Sequence, residues 1–454
     1  MRDLFLLMLL PVMLYAMAKR PFIALGMWLW TALFFPNGWV YGAASNIRYN
    51  LLFTAVAVIA YVLMKNKPKF PSSPLSTLVI VFFVWTTFST IMGVGKPEVQ
   101  WDIWSRFAKI FVLFVFVLLI VQKKLHADFM LWCVVLSVGF YANLEALKFI
   151  ATGGGHKIAG MEGHVLGDRN ELAIAFVMTL PLCFYLLGEY GKSSRIIRAG
   201  LLGTISLLVI GVIGTQSRGG FIALLALGGY LFVKSERKVL MGILIIALGI
   251  AVAHLASNEW VDRINTIESA SEDGSFMTRV VSWKLSFIMA VRHPFFGGGF
   301  KALEYLPNWV DLARDFYSYS WFYTGDRFPS LDYARAAHSV YFQVLGEHGF
   351  VGLALYVSIL IGAFRKAGKI SRAARKQGLP GWFATLATML QLSIFAFALG
   401  GAALSFAYFD LIFAIIGLVI VLESRILPAI VSDIRATAAT PLHAPGILLK
   451  TGTR

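Results

Sequence analysis

The residues best suited to acid-base and charge chemistry are one histidine and three arginines. His338 heads the string His338-Ser339-Val340-Tyr341-Phe342-Gln343-Val344-Leu345-Gly346-Glu347, directly before a long apolar stretch. An imidazole exchanges its proton near neutral pH, and holding one where a chain enters lipid is costly, so it points to proton transfer at a membrane surface. Arg169, in Asp168-Arg169-Asn170-Glu171, and Arg218, in Thr215-Gln216-Ser217-Arg218-Gly219-Gly220, each stand at the start of another apolar stretch. A guanidinium is a planar fork that can donate two hydrogen bonds to a phosphate. Gly219 and Gly220 would let a headgroup come close to the backbone, beside the unpaired N–H groups of a helix start. Arg279, in Thr278-Arg279-Val280-Val281-Ser282-Trp283, is a third cation of this kind. Together they suit chemistry at a membrane surface in which an imidazole moves a proton while fixed cations hold an anionic group. The competing reading of each arginine is a structural salt bridge, or a stem lying along apolar surface with its head in water.

The elements that must position these groups are membrane spans. The chain has 58% hydrophobic and 14% charged residues and a mean hydropathy of +0.74, far from the composition of soluble domains. Apolar runs able to cross a ~30 Å hydrocarbon layer as helix fall near 4 to 18, 21 to 41, 50 to 64, 75 to 93, 107 to 122, 127 to 150, 170 to 188, 199 to 216, 219 to 233, 239 to 256, 341 to 363, 382 to 402 and 404 to 421. The expectation is an all-α polytopic membrane protein of about 12 transmembrane helices, forming one integral membrane domain over 1–454. The first two runs, separated by Ala18-Lys19-Arg20, read as two spans, a hairpin or one broken span. The first is expected to be an uncleaved anchor, since no small-residue cleavage site follows it.

Short loops rich in Lys and Arg stay in the cytoplasm. Such loops occur at Lys65/Lys67/Lys69, Lys123/Lys124, Lys192/Arg195/Arg198, Lys234/Arg237/Lys238 and Arg365 to Lys376, and counting spans puts all of them on one face. The net charge of +16 then reflects topology and attraction to anionic headgroups. No soluble basic domain carries it, which argues against nucleic-acid binding. On the opposite face lie His338, Arg169, Arg218 and an unusually long connection, 257–339, expected to be a large periplasmic loop. Loops that long are uncommon unless functional. Its first half has helical period from Thr278 to Arg292 and stops at His293-Pro294 and Gly297-Gly298-Gly299. Its second half, from Asp315 to Phe328, alternates aromatics with polar groups and suits the lipid interface, either as packing or as part of a site. Residues 432–454 read as a flexible cytoplasmic tail.

Other ionisable groups have weaker claims. Glu145 and Lys148, three apart, are expected to pair. Asp410, in the last span, rivals His338 as a proton acceptor. Glu347 reads as structural, or as an orienting partner of the site, while His348 and His164 are decoys and His254 and His293 interfacial. Cys133 and Cys183 fall inside spans as small apolar residues, implying no disulfide and no metal site.

His338-Ser-Val-Tyr-Phe-Gln-Val-Leu-Gly-Glu347-His-Gly349-Phe-Val-Gly352, preceded by Arg279-x-x-x-Trp283 and His293-Pro294-Phe-Phe-Gly-Gly-Gly-Phe300, resembles the bacterial O-antigen ligase and O-antigen polymerase superfamily. Ser217-Arg218-Gly219-Gly220 and Asp168-Arg169-Asn170 are similar to its other signatures, and the chain looks like the members associated with exopolysaccharide and exosortase systems. Family members often have His-Asn where this chain has His338-Ser339. The resemblance implies a helical, GT-C-like, inverting glycosyltransferase of the inner membrane that needs no metal or other cofactor. It would move a glycan from undecaprenyl pyrophosphate to a lipid A-core sugar on the periplasmic side. His338 would be catalytic, Arg169, Arg218 and Arg279 would bind the donor pyrophosphate, and Asn170, Ser217, Ser339 and Glu347 would support them. A polymerase or a protein O-oligosaccharyltransferase would share this chemistry. A transporter of lipid-linked sugars would instead place its charged groups near the bilayer midplane.

A cysteine placed at Ser330 should react with a membrane-impermeant maleimide added outside intact inner-membrane spheroplasts. Labelling only after lysis would reverse the topology.

Overall fold

The computed structural model describes residues 2–234, 274–325 and 327–439, with a few isolated positions between 238 and 249. The expected span at 239–256, His254 within it, the start of the loop at 257–273 and the segment 440–454 lie outside the described residues.

The described residues form helices and short helical turns without strands, and eight helices are long and apolar enough to cross a membrane. The chain is a multi-pass membrane protein. α1 (Arg2–Lys19) and α2 (Pro21–Phe34) are two helices parted at Arg20, with Pro21 opening the second. The run expected over 21 to 41 ends earlier, because Phe35 takes a left-handed φ of 53° and 3-10 turns follow. α3 (Tyr49–Val62), α4 (Pro74–Ile91), α5 (Pro97–Ile120), α6 (Lys124–Ala151), α7 (Arg169–Tyr190), α8 (Arg195–Gly214) and α9 (Arg218–Lys234) continue the bundle. α10 (Gly274–Arg292) and the short α11 (Leu306–Ala313) belong to the long connection. α12 (Val340–Lys376), α13 (Gly381–Gly400), α14 (Asp410–Val421) and α15 (Leu427–Ala439) complete the chain. Residues 432–439, expected to be tail, instead continue α15, as their alanines and arginine favour.

Large apolar side chains remain exposed along the outer helices, among them Val12, Ile59, Val84, Leu136 and Leu202, a belt whose natural solvent is lipid. Contacts define two ends. At the basic end Arg425 donates to the carbonyls of Lys69 (2.7 Å) and Val121 (3.2 Å), and Lys366 pairs with Glu423. Asp128, 1% exposed, is also there: Lys124 pairs with it at 2.6 Å and the hydroxyls of Tyr185 and Tyr190 donate to it, joining α6 to α7.

The opposite end is organised by a break in α12. Gly349 has φ 70° and ψ −172°, which opens the helix and frees backbone groups that lipid cannot satisfy. The 294–299 loop docks into the opening. Gly298 N–H donates to Gly346 O (2.9 Å), Gly299 N–H to Glu347 O (2.8 Å) and Phe350 N–H to Pro294 O (3.0 Å). A Cβ on Gly349 would lie 2.5 Å from Phe295 O, and one on Gly297 would lie 2.5 Å from backbone atoms of Glu347, His348 and Gly349. Gly298 O also accepts from Val94 N–H and from Gln100 Nε2, each at 2.9 Å, so the α4–α5 turn is fastened to the same point.

Within the connection, Lys284 is fully buried and donates to the carbonyls of Tyr319 (3.0 Å) and Tyr323 (2.5 Å), with its ammonium 4.4 Å from the Phe316 ring centroid. Arg292 pairs with Asp315 at 2.7 Å and also holds Asp311. The aromatic stretch thus splits: Phe316 packs inward, while Trp321 and Tyr317 stay exposed, as an interfacial segment requires.

Gly349→Ala should lower stability by ~1–3 kcal/mol, because it adds strain at positive φ and a backbone clash. Gly203, with open space at its Cβ position, is the control. Thermal unfolding in detergent checks this; equal midpoints for Gly349→Ala and Gly203→Ala would show that the break is not held as described.

Candidate active site

Four helix starts meet at the end organised by the break, around the turn 401–409. Ser405 Oγ accepts from the His338 backbone N–H at 2.7 Å. A Cβ on Gly401 would touch Val340, the first residue of α12, and one on Gly219, in the first turn of α9, would touch Ala403. Gly220 lies so close to α7 that an added Cβ would be 2.5 Å from the Ala173 methyl. His338 and Arg218 therefore flank one turn, and Arg169 starts the helix packed against α9. The same contacts correct an expectation: Gly219 and Gly220 accommodate neighbouring helices, so the space next to them is filled by protein rather than open to a headgroup.

His338 has a left-handed φ of 48°, a conformation uncommon for residues other than glycine. The corner lets the chain turn from the loop into α12 with Ser339 at the N-cap position. Ser339 is buried and its side chain does not cap the helix. The imidazole is half-buried and its pKa lies below the usual histidine value, first because burial penalises its charged form, then because Arg279 faces it. Asp168 and Glu304 pull the other way, and Arg335 adds to the lowering. These charges place the starts of α7 and α10 around the ring.

Arg169 is the first residue of α7, and Asp168 caps that helix: its carboxylate accepts from the Asn170 backbone N–H (2.8 Å) and from Asn170 Nδ2 (2.9 Å), while Glu171 closes a capping box. Ser217 is buried and caps α9, accepting from Gly220 N–H at 3.2 Å. Asn170 and Ser217 thus aim the helix starts that carry Arg169 and Arg218. Cations at the first positions of helices add to a positive dipole end, a field that favours anions. In α7 the acids of the capping box temper it, whereas α9 has no acid in its first turn.

Glu347 is buried at the edge of a small recess that also touches Ser286, Lys301, Gln343 and Ser405. One carboxylate oxygen accepts from the Lys301 backbone N–H (2.9 Å) and the other from the Tyr408 hydroxyl (2.6 Å). Tyr408 is also 2.7 Å from His348 Nε2, and His348 Nδ1 is 2.8 Å from Ser89 Oγ. Glu347 and His348 thereby tie α4 and the 401–409 turn to the break.

The remaining ionisable groups fall elsewhere. Asp410 is the first residue of α14 and of the last candidate span, where it complements the helix start. Glu145 pairs with Lys148 (2.7 Å) and with His156 (2.6 Å). His164 donates from Nε2 to Ala32 O at 3.0 Å and stacks on Phe35, and burial pushes its pKa down to about 4. His293 ends the α10 segment with its pKa lowered by burial and by Arg292. Cys133 and Cys183 are free and buried. Ser405, Tyr408, Lys301 and Glu304 were not singled out by the sequence; the polar letters of Ser405-Phe406-Ala407-Tyr408 between apolar runs were the signal available.

Comparison with known families places these residues. Residues 1–191 match a family of unknown function, and residues 203–357 match the O-antigen ligase family. The chain carries an O-antigen ligase domain. No curated protein matches the sequence. The matched region contains Ser217, Arg218, Arg279, His338, Ser339 and Glu347, and the match supports a membrane enzyme of ligase or polymerase type. Arg169 and Asp168 come from the other matched region, so the site joins both.

The charges around His338 give a signed prediction for the ligase-domain histidine. Diethyl pyrocarbonate attacks neutral imidazole, so the midpoint of His338 modification against pH should fall below 6.5. Arg279→Gln removes an opposing cation and should move it up; Asp168→Asn removes a supporting anion and should move it down. Peptide mass spectrometry reads the site, and three coincident midpoints would separate these charges from the ring.

Proposed function

We propose that the protein is an O-antigen ligase: an inverting, metal-independent glycosyltransferase moving a glycan from undecaprenyl pyrophosphate to a lipid A-core hydroxyl, at the periplasmic face of a bacterial inner membrane. The fold would be GT-C-like with about 12 spans. The observation that carries this reading is the half-buried imidazole of His338, held at a corner by Ser405 and kept toward its neutral form by burial and Arg279. A neutral imidazole facing a cationic rim is the pairing needed for attack by a hydroxyl on a sugar diphosphate.

In the proposed reaction the acceptor hydroxyl gives its proton to His338 as its oxygen bonds to the anomeric carbon. The anomeric C–O bond to the diphosphate breaks on the opposite face through an oxocarbenium-like state, inverting the centre. The bonding electron pair leaves with the diphosphate, whose growing charge is met by Arg169, Arg218 and Arg279. The proton on His338 then passes to solvent or to the departing diphosphate. Arginines take the part that a divalent cation would otherwise play. Asn170 and Ser217 hold the helix starts, and Glu347 fixes the loop against α12.

With a purified lipid-linked donor and acceptor, His338→Ala should cut turnover by about 10²–10⁴-fold, as expected for loss of a general base, while donor binding persists. Arg218→Ala should weaken donor binding and turnover, and Arg218→Lys should recover only part, since an ammonium lacks the fork. Activity should survive excess chelator. Robust transfer by His338→Ala, or a strict requirement for magnesium, would sink the mechanism. In a deletion strain, a ligase leaves long glycans on the carrier lipid; single repeats on core would mark a polymerase instead.

A further inference from the structure

A groove of about 360 Å³ opens between α10, α11 and the 327–335 segment, lined by Thr278, Trp309, Arg327, Ser330, Tyr333 and Arg335 among others. That volume is within the range of small-ligand sites. We propose that it is a subsite for an anionic saccharide, a sugar bearing a carboxylate or a phosphate, on the acceptor side of the reaction. Only the assignment to the acceptor side rests on the function proposed above.

The lining has the chemistry of such a ligand. Two arginines supply forked donors for a carboxylate or phosphate, and the described lining holds no acidic residue. Thr278, Ser330 and Tyr333 carry hydroxyls that can bond to sugar hydroxyls, and exposed Phe328 supplies ring surface. A lipid headgroup would use the cations but not this run of hydroxyls and rings.

The groove is also built rather than incidental. Trp309, 1% exposed, donates from Nε1 to Ser330 O at 2.7 Å, fixing the floor to the wall. Arg335 donates to the Tyr333 hydroxyl at 3.0 Å with its guanidinium 4.9 Å from the ring centroid. Buried Lys284 and the Arg292 pairs hold the surrounding loop to α10 and α11.

Its position fits an acceptor. Arg335 lines the groove and is among the charges acting on the His338 ring, as is Arg279, the neighbour of Thr278 in α10. The groove therefore leads toward the base from the α10 side. Arg169 and Arg218 stand at the starts of α7 and α9 and do not line the groove, so the proposed donor and acceptor sites use different residues.

The test is calorimetric titration of the full protein in phosphatidylcholine nanodiscs with trigalacturonate, mannose 6-phosphate and neutral maltotriose, without donor. At least one anionic probe should bind more tightly than maltotriose. Arg327→Gln and Arg335→Gln should each weaken it by about tenfold, the scale of one charge-assisted bond, and Arg335→Lys should weaken it less. Melting curves matching wild type confirm that the variants fold. Absence of anionic binding, equal binding by maltotriose, or indifference to both Gln variants would overturn the proposal. So would displacement of the probe by phosphatidylglycerol, which would give the groove to a lipid headgroup. With no donor present, loss of binding is read separately from loss of transfer.

Discussion

A transmembrane helix that opens in its middle exposes peptide groups that hydrocarbon cannot bond, and the organisation of the loop end follows from how α12 meets that constraint at Gly349. The 294–299 loop supplies the missing partners: Gly298 and Gly299 donate into the opening and Pro294 accepts from beyond it. Only residues without a Cβ can come this close, as the 2.5 Å distances at Gly297 and Gly349 show. The dock fixes where α10 ends, where Glu347 and His348 face, and how the long connection leaves the bundle. His338 lies on the near side of the break, so its placement inherits the rigidity of that joint.

Small residues play a similar part where α7, α9 and α13 converge. Gly220 against Ala173, Gly219 against Ala403 and Gly400 against Ile174 bring the helix starts within backbone reach. Arg169 and Arg218 are carried on those starts, and Ser217 and Asp168 cap them. Their directions are set by backbone packing rather than by side-chain choice. Long flexible side chains thus depart from fixed origins, which would reduce the entropy lost in the proposed closing on an anion.

Much of this was legible in the sequence because it depends on local signals. Hydropathy located most of the helices from α3 onward, His293-Pro294 ended α10 as expected, and the two matched regions span the residues singled out as motifs. What stayed hidden depends on contacts between distant residues. Nothing in Gly297-Gly298-Gly299 says that it docks on a helix break about fifty positions later, nor that the glycines after Arg218 face helices instead of solvent. Lys284 reads as a polar position in a loop helix, yet it is fully buried by two carbonyls and a ring. Asp410 read as interior to a span, whereas it is the span's first residue, because hydropathy cannot see that Phe409 is still extended and the helix begins one residue later.

The cluster around Tyr408 also imposes a proton count. Each hydroxyl has one hydrogen, yet Ser89 lies beside His348 Nδ1 and the carbonyls of Glu347 and Phe296, and Tyr408 lies between His348 Nε2 and the Glu347 carboxylate. If Ser89 gives its hydrogen to a carbonyl, the neutral ring must be protonated on Nδ1. Nε2 then accepts from Tyr408, and the short contact at Glu347 requires the acid form. If Ser89 turns to donate to Nδ1, the ring carries its hydrogen on Nε2, Tyr408 donates to Glu347, and the carboxylate is ionised. The tautomer of one buried ring and the charge of one acid are therefore linked to which way a serine hydroxyl on α4 points, and the two arrangements differ by one proton, which must leave the cluster or return to it.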